Sequence, residues 1–75
     1  MTVLPTLAAE AQARILAATR ADLTYAEIAK KAGSSATVIS VLFNWGADFP
    51  LYGHPTRISA SRLQQIIDNL SEFAS

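Results

Sequence analysis

The chain has 75 residues, which suits one domain and is too short for two. Its formal net charge is zero, and 51% of its residues are hydrophobic. It contains no cysteine and one histidine, His54, which excludes disulfides, a cysteine nucleophile and a multi-histidine metal site within one chain.

No apolar run approaches the roughly 20 residues that a membrane-spanning helix needs. The N-terminal stretch lacks the basic region and long apolar run of a signal peptide, so we expect a cytoplasmic protein with no membrane partner. The sequence offers no nucleophile paired with a base, no glycine-rich phosphate loop and no metal-ligand cluster. We therefore expect no enzymatic activity, no cofactor, no metal and no small-molecule ligand.

The first predicted helix runs from about Leu7 to Arg20 and is rich in alanine, the residue with the highest helix propensity. Thr6 is positioned to cap it, because its hydroxyl can accept a hydrogen bond from an amide of the first turn. We expect Pro5 to block extension toward the N-terminus. One apolar stripe is predicted to be buried, and it consists of Leu7, Ala11, Ile15 and Ala18, with Ala8 and Leu16 beside it.

The second predicted helix begins at Thr24. Thr24 and Glu27 have the spacing of a capping box, in which each residue satisfies a backbone amide of the other. The helix is expected to end at Gly33, since glycine adopts the left-handed backbone of a helix end without a side-chain penalty. Its predicted buried side is formed by Ile28, Ala29 and Ala32.

The third predicted helix begins after Ser34 or Ser35, either of which can cap it, and ends near Asn44 to Gly46. Its apolar character comes from Val38, Ile39, Leu42 and Phe43. Together the second and third helices make one predicted unit over residues 25–44, in which two helices cross steeply through a short turn. Four residues are expected to meet beneath the crossing: Ile28, Ala32, Ile39 and Leu42.

A long apolar loop is predicted over residues 45–58, and a C-terminal helix over residues 59–73, beginning at Ser59. Aromatic and apolar residues gathered in such a loop either close over the core or form an interface with a second copy. As the candidate dimer interface we take Trp45, Phe49, Leu51 and Tyr52, with the last helix and Phe73 as the second choice. The apolar positions of the last helix are Leu63, Ile66, Ile67 and Leu70.

The stretch YAEIAKKAGSSATVISVLFN resembles the helix-turn-helix of lac-repressor-type headpieces, within the wider lambda-repressor-like fold. The small residue Ala29, the turn residue Gly33 and the anchors Ile39 and Leu42 carry this resemblance. The later stretch ISASRLQQIIDNL is similar to the way these headpieces open their next helix. The intervening loop is longer than is usual in that family, and the helix before Leu23 is an addition closer to the lambda-repressor arrangement.

The resemblance implies a single all-α, four-helix helix-turn-helix domain over residues 1–75. It also implies a small, repressor-type transcriptional regulator that binds double-stranded DNA, and we expect it to act as a homodimer. In this fold the second helix of the unit enters the major groove, N-terminus first. The residues expected to contact bases are Ser35, Ala36, Thr37, Ser40, Val41 and Asn44. The residues expected to contact phosphates are Thr24, Tyr25, Ser34, Arg57, Ser59 and Arg62.

A second interpretation is a helix-turn-helix fold that binds another protein, as an antirepressor or an oligomerising adaptor, and does not bind DNA. The zero net charge favours this alternative, because many DNA-binding domains are basic. So does the predicted outward face of the third helix, which has no Arg, Lys or Gln to contact guanine through two hydrogen bonds. The intact unit of two helices and the placement of Arg57 and Arg62 favour the DNA-binding interpretation.

Overall fold

The computed structural model describes residues 4–48 and 58–73, and within these ranges it contains four α-helices, a short 3-10 helix and no strand. The predicted all-helical class is confirmed. No helix in the described ranges is long and apolar enough to cross a membrane. In chain order the elements are α1 (Leu4–Arg20), α2 (Tyr25–Ala32), α3 (Ala36–Trp45), α4 (Ala60–Asn69) and the 3-10 helix (Ser71–Phe73).

Helix α1 begins at Leu4, three residues earlier than predicted, and Pro5 lies in its first turn. The expectation that Pro5 blocks the helix and Thr6 caps it was therefore wrong. Amides of the first turn have no carbonyl partner within the helix, so a proline there forfeits no hydrogen bond. The longer helix brings Leu4 to the edge of the core, where it is partly buried.

Helix α1 is the central element of the fold, because it packs against α2, α3, α4 and the 3-10 helix. Its inner face is made of Ala8, Ala11, Ile15 and Ala18, all of which are fully buried. Three of these four side chains are single methyl groups, so the backbones of neighbouring helices can approach α1 closely. Leu16, predicted to lie beside this stripe, instead points outward and is 37% exposed.

The two ends of α2 are formed as the sequence predicts. The Thr24 hydroxyl accepts a hydrogen bond from the Glu27 amide at 3.2 Å, and the Glu27 carboxylate accepts one from the Thr24 amide at 2.8 Å. At the other end Gly33 has φ +69°, in the left-handed region. The Ser34 amide then donates to the Ala29 carbonyl at 2.9 Å, a pattern that ends the helix while satisfying its free carbonyls.

Helix α3 is capped by Ser35, whose hydroxyl accepts a hydrogen bond from the Val38 amide at 3.3 Å. Ser34, the other candidate cap, does not cap the helix. Its hydroxyl oxygen is buried and has no hydrogen-bond partner among the residues that the structure describes. Helix α3 ends at Trp45, and the next residue, Gly46, has φ +55° and ψ −131°, a conformation that glycine adopts readily and other residues avoid.

Helix α4 is capped by Ser59, as expected, but it ends at Asn69 and not at Phe73. After Leu70 the chain tightens into the 3-10 helix, which packs against α1 and carries the partly buried Phe73. The 3-10 helix contacts both α1 and α4, so the chain stays on the surface of α1 after α4 has ended. The four apolar positions predicted for this helix are all buried: Leu63, Ile66, Ile67 and Leu70.

Three helices have a last-turn carbonyl that accepts a hydrogen bond from a side chain of a different helix. Asn69 donates to the carbonyl of Ala32 at 2.9 Å, and Gln12 donates to that of Phe43 at 2.9 Å. Arg14 donates to a third carbonyl, that of Ile67, at 3.4 Å. Helix geometry leaves last-turn carbonyls short of partners, and these bonds provide one, although the Ile67 carbonyl also accepts from the Leu70 amide at 3.2 Å. The three bonds fix where the C-terminal ends of α2, α3 and α4 lie relative to their neighbours.

We predict that Gly46→Ala lowers the free energy of unfolding by about 1–3 kcal/mol, measured by urea denaturation. An added Cβ would lie 2.4–2.8 Å from the amide atoms of Gln12, so it would displace the group that bonds the Phe43 carbonyl. The backbone conformation at residue 46 adds its own strain. Gln12→Ala, which removes the hydrogen bond but leaves glycine in place, should cost less, near 1 kcal/mol. Equal losses of unfolding free energy in the two variants would contradict a contribution from backbone strain at residue 46.

Candidate nucleic-acid interface

Helix α3 presents an uncharged, mostly polar face to solvent. Ser35, Ala36, Thr37 and Asn44 are exposed, and Ser40 is half-buried. Ala36, Ser40 and Asn44 are spaced four residues apart, so they form one row along the helix. Residues 36–45 include no acidic or basic side chain. The structure thus places five of the six residues expected to contact bases on one accessible surface.

Val41 is the exception, and the expectation that it faces outward was wrong. It is only 9% exposed and belongs to the hydrophobic core. The reason is that α3 packs against both α1 and α2, so its buried side is wider than that of a helix with a single neighbour. Ile39 and Leu42 occupy the centre of that side, and Val41 lies at its edge.

Two of the polar residues on this face are bonded to one another. The Asn44 amide nitrogen donates to the Ser40 carbonyl at 2.9 Å and approaches the Ser40 hydroxyl at 3.2 Å. Thr37, one turn nearer the N-terminus, remains exposed. The first turn of α3 therefore has the hydroxyl and methyl groups most readily presented to a partner.

The N-terminus of α2 combines expected phosphate contacts with a negative charge. Hydrogen bonds from the Thr24 amide and then its hydroxyl lower the pKa of Glu27, so this carboxyl is ionised at neutral pH. The ring of Tyr25 is half-buried against Phe43, with ring centroids 5.6 Å apart. The charge of Glu27 opposes the attraction that the helix dipole would otherwise exert on a phosphate.

Ser34 does not present either of its polar groups to a phosphate. Its amide donates to the Ala29 carbonyl, and its hydroxyl is buried. The tight turn after Gly33 directs both groups inward. Ser34 is therefore unlike Ser35, which is exposed at the start of α3.

The N-terminus of α4 brings a positive charge next to α3. Arg62 and Ser59 line an open groove together with Val38 of α3 and Ile58. The Ser59 hydroxyl accepts a hydrogen bond from the Arg62 amide at 3.2 Å, which fixes the first turn. Arg62 is exposed, so its guanidinium can reach a phosphate that passes along this edge of α3.

The other described basic residues belong to different surfaces. Arg14 pairs with Glu10 at 3.2 Å on α1, and Lys31 pairs with Glu72 at 3.2 Å. In the described ranges no group of three His, Cys, Asp or Glu residues is arranged to hold a metal ion. Arg62 is therefore the basic residue that lines a groove with a side chain of α3 among the described grooves.

Several expected site residues lie outside the part of the chain that the structure describes. These are Arg57, expected at a phosphate, and Phe49, Leu51 and Tyr52, expected at a dimer interface. The fourth interface candidate, Trp45, is described and is 41% exposed at the end of α3.

Sequence reasoning missed Gln12 and Asn69, the side chains that bond the ends of α3 and α2. Neither contacts the proposed interface, but both hold the helices that form it. The one available signal was that each is an uncharged polar residue beside the buried stripe of a predicted helix. That position does not identify the carbonyl to which the side chain donates. Comparison with protein-family models, with curated proteins and with solved structures found no match to this chain.

We predict that part of the stability of α2 depends on pH through Glu27. Because the pKa of Glu27 is lower in the folded state, its contribution is present at neutral pH and is lost as pH falls through that value. Glu27→Gln keeps an acceptor for the Thr24 amide but has no charge, so it should lack this pH dependence. Thermal unfolding of both proteins across the acidic range would test this. Parallel curves would show that Glu27 contributes nothing to the acid transition.

Proposed function

We propose that this chain binds double-stranded DNA as a small repressor-type transcriptional regulator, with α3 in the major groove. The observation that carries the proposal is the accessible face of α3, whose first turn presents Ser35, Ala36 and Thr37 to solvent. A helix capped by serine directly after a glycine turn has its N-terminal end free to enter a groove.

The chemistry of this face favours modest sequence discrimination. Hydroxyl groups of Ser35 and Thr37 can bond base edges, and the methyl group of Ala36 can contact a thymine methyl. Asn44 has an amide side chain on this face, and its amide nitrogen already donates to the Ser40 carbonyl. No side chain on this face can contact guanine through two parallel hydrogen bonds, which is the strongest single contact in direct readout.

Phosphate contacts are assigned to the edges of the same surface. Arg62 and Ser59 flank α3 through the groove that they share with Val38. Thr24 and Tyr25 lie at the start of α2, where the Thr24 amide already donates to the Glu27 carboxylate and the charge of Glu27 opposes a phosphate. Arg57 is added on sequence grounds. So few contacts from one chain favour a homodimer on a palindromic site, which doubles both base and phosphate contacts.

A second candidate function is a protein-binding module that uses the same face of α3. The specific observation in its favour is that residues 36–45 are uncharged while Glu27 places a negative charge at the adjacent helix end. A surface of that kind attracts a phosphate backbone weakly. It suits a neutral surface on another protein equally well.

A salt titration separates the two candidates. If the chain binds DNA, the logarithm of its affinity should fall linearly with the logarithm of salt concentration, with a slope of about −0.9 for each phosphate neutralised. Fluorescence anisotropy with labelled duplexes of random sequence measures this directly. An absence of binding at low salt would contradict the DNA proposal and favour the protein-binding module.

Two substitutions test how α3 is oriented on DNA. Arg62→Ala should weaken binding to all duplexes alike and reduce the salt slope by about 0.9, because it removes one phosphate contact. Thr37→Ala should weaken binding to a duplex selected for tight binding more than to random duplexes, by about 1 kcal/mol.

Lys31→Ala is the matched control, since Lys31 pairs with Glu72 away from α3. Removing the Lys31 side chain should leave the affinity for duplex DNA almost unchanged. If Lys31→Ala weakens binding as much as Arg62→Ala does, the DNA does not follow the edge of α3 that Arg62 and Ser59 form.

A further inference from the structure

The outer surface of α1 is an apolar ridge with open grooves on both sides. Ala9, Ala13 and Leu16 are exposed along it, opposite the buried alanine stripe. Phe43 of α3 lines the far side of one groove, and Phe73 of the 3-10 helix lines the far side of the other. Within the described ranges, Leu16 and Trp45 are the large hydrophobic residues classed as exposed.

The charges along the second groove are arranged with opposite signs at its two ends. Glu10 lines one end and Arg20 the other, and Ala13, Arg14 and Ala17 lie between them. The side chain of Glu10 is 48% exposed although it pairs with Arg14 at 3.2 Å. Arg20, in the last turn of α1, is also exposed. Arg14 is paired within the chain and its side chain is only 19% exposed, so the exposed surface has an acidic end, a mainly apolar middle and a basic end. Such a surface is complementary to itself when reversed.

We propose that this ridge binds a second copy of the chain, with the two α1 helices antiparallel about a two-fold axis midway between Ala13 and Ala17. Glu10 and Arg20 each lie five residues from that midpoint, about 7.5 Å along the helix. The axis therefore brings Glu10 of each copy level with Arg20 of the other, which gives two equivalent ion pairs.

The apolar part of the ridge fits the same arrangement. Ala13 of one copy lies level with Ala17 of the other, and two methyl groups allow the helices to approach closely. Leu16 is within one residue of the axis, so the two leucines lie close together and remove their exposed surface from water. This interface differs from the one predicted around Trp45, and it leaves the face of α3 uncovered because α3 packs on α1 through its opposite side.

The experiment measures oligomeric state by sedimentation equilibrium on the whole chain. Glu10→Arg and Arg20→Glu should each weaken self-association about tenfold or more, because each replaces two attractive pairs with two repulsive ones. An equimolar mixture of the two variants should restore the dimer. In the mixed dimer every position 10 faces a position 20 of opposite charge, and this result requires the antiparallel register.

Asp68→Arg and Lys30→Glu are matched controls, since they make the same charge reversals at exposed positions on other helices, and neither residue lines the two grooves beside the ridge. Both should associate as the unaltered chain does, and circular dichroism should show all five proteins equally helical. An unaltered chain that stays monomeric at its highest attainable concentration overturns the proposal. So does a mixture that fails to associate, or a dimer that Trp45→Ala dissociates and the two α1 variants do not.

The inference stands apart from DNA binding. A dimer that follows the charge pattern but binds no duplex would leave the interface in place and contradict only the proposed function. If the chain binds duplexes with the expected salt slope but the charge reversals leave its self-association unchanged, the result would contradict only the α1 interface.

Discussion

The fold depends on the close approach of three helices to the alanine-rich inner face of α1. Ala8, Ala11 and Ala18 are fully buried there, so each is a site where any larger side chain would push a neighbouring helix away. Helices α3 and α4 contact α1 but do not contact one another closely, so their relative positions are set through it. The surface formed by α3 and the first turn of α4 therefore has its geometry fixed by methyl groups on a third helix.

The elements that could be predicted from sequence are those that local chemistry determines. The capping box of Thr24 and Glu27, the left-handed Gly33 and the cap at Ser59 each involve residues at most a few positions apart. Apolar spacing also identified the buried residues of α2 and α4, because each of those helices buries a narrow stripe. Five of the six residues expected on the outer face of α3 are accessible, since the turn at Gly33 was correctly placed and one of the two candidate caps, Ser35, begins the helix.

The errors fall where contacts between distant residues decide the outcome. Val41 is buried because α3 has two neighbours, and Leu16 is exposed because it lies on the side of α1 away from the buried alanine stripe. Helix α4 ends early, and the 3-10 helix that follows it packs against α1. Gln12 and Asn69 bond carbonyls more than thirty residues away. None of these outcomes is encoded in spacing alone, since each requires knowing which helix lies opposite.

The bond from Arg14 to the Ile67 carbonyl spans 53 residues, and it belongs to the extensive contact between α1 and α4. Contacts of this kind join the first and last α-helices of the described chain. Loop closure must precede those contacts, which slows folding relative to a helical protein whose contacts are mainly local. During synthesis the part of α1 that α4 covers stays exposed to water until α4 has left the ribosome, so the core is completed only when the last helix packs.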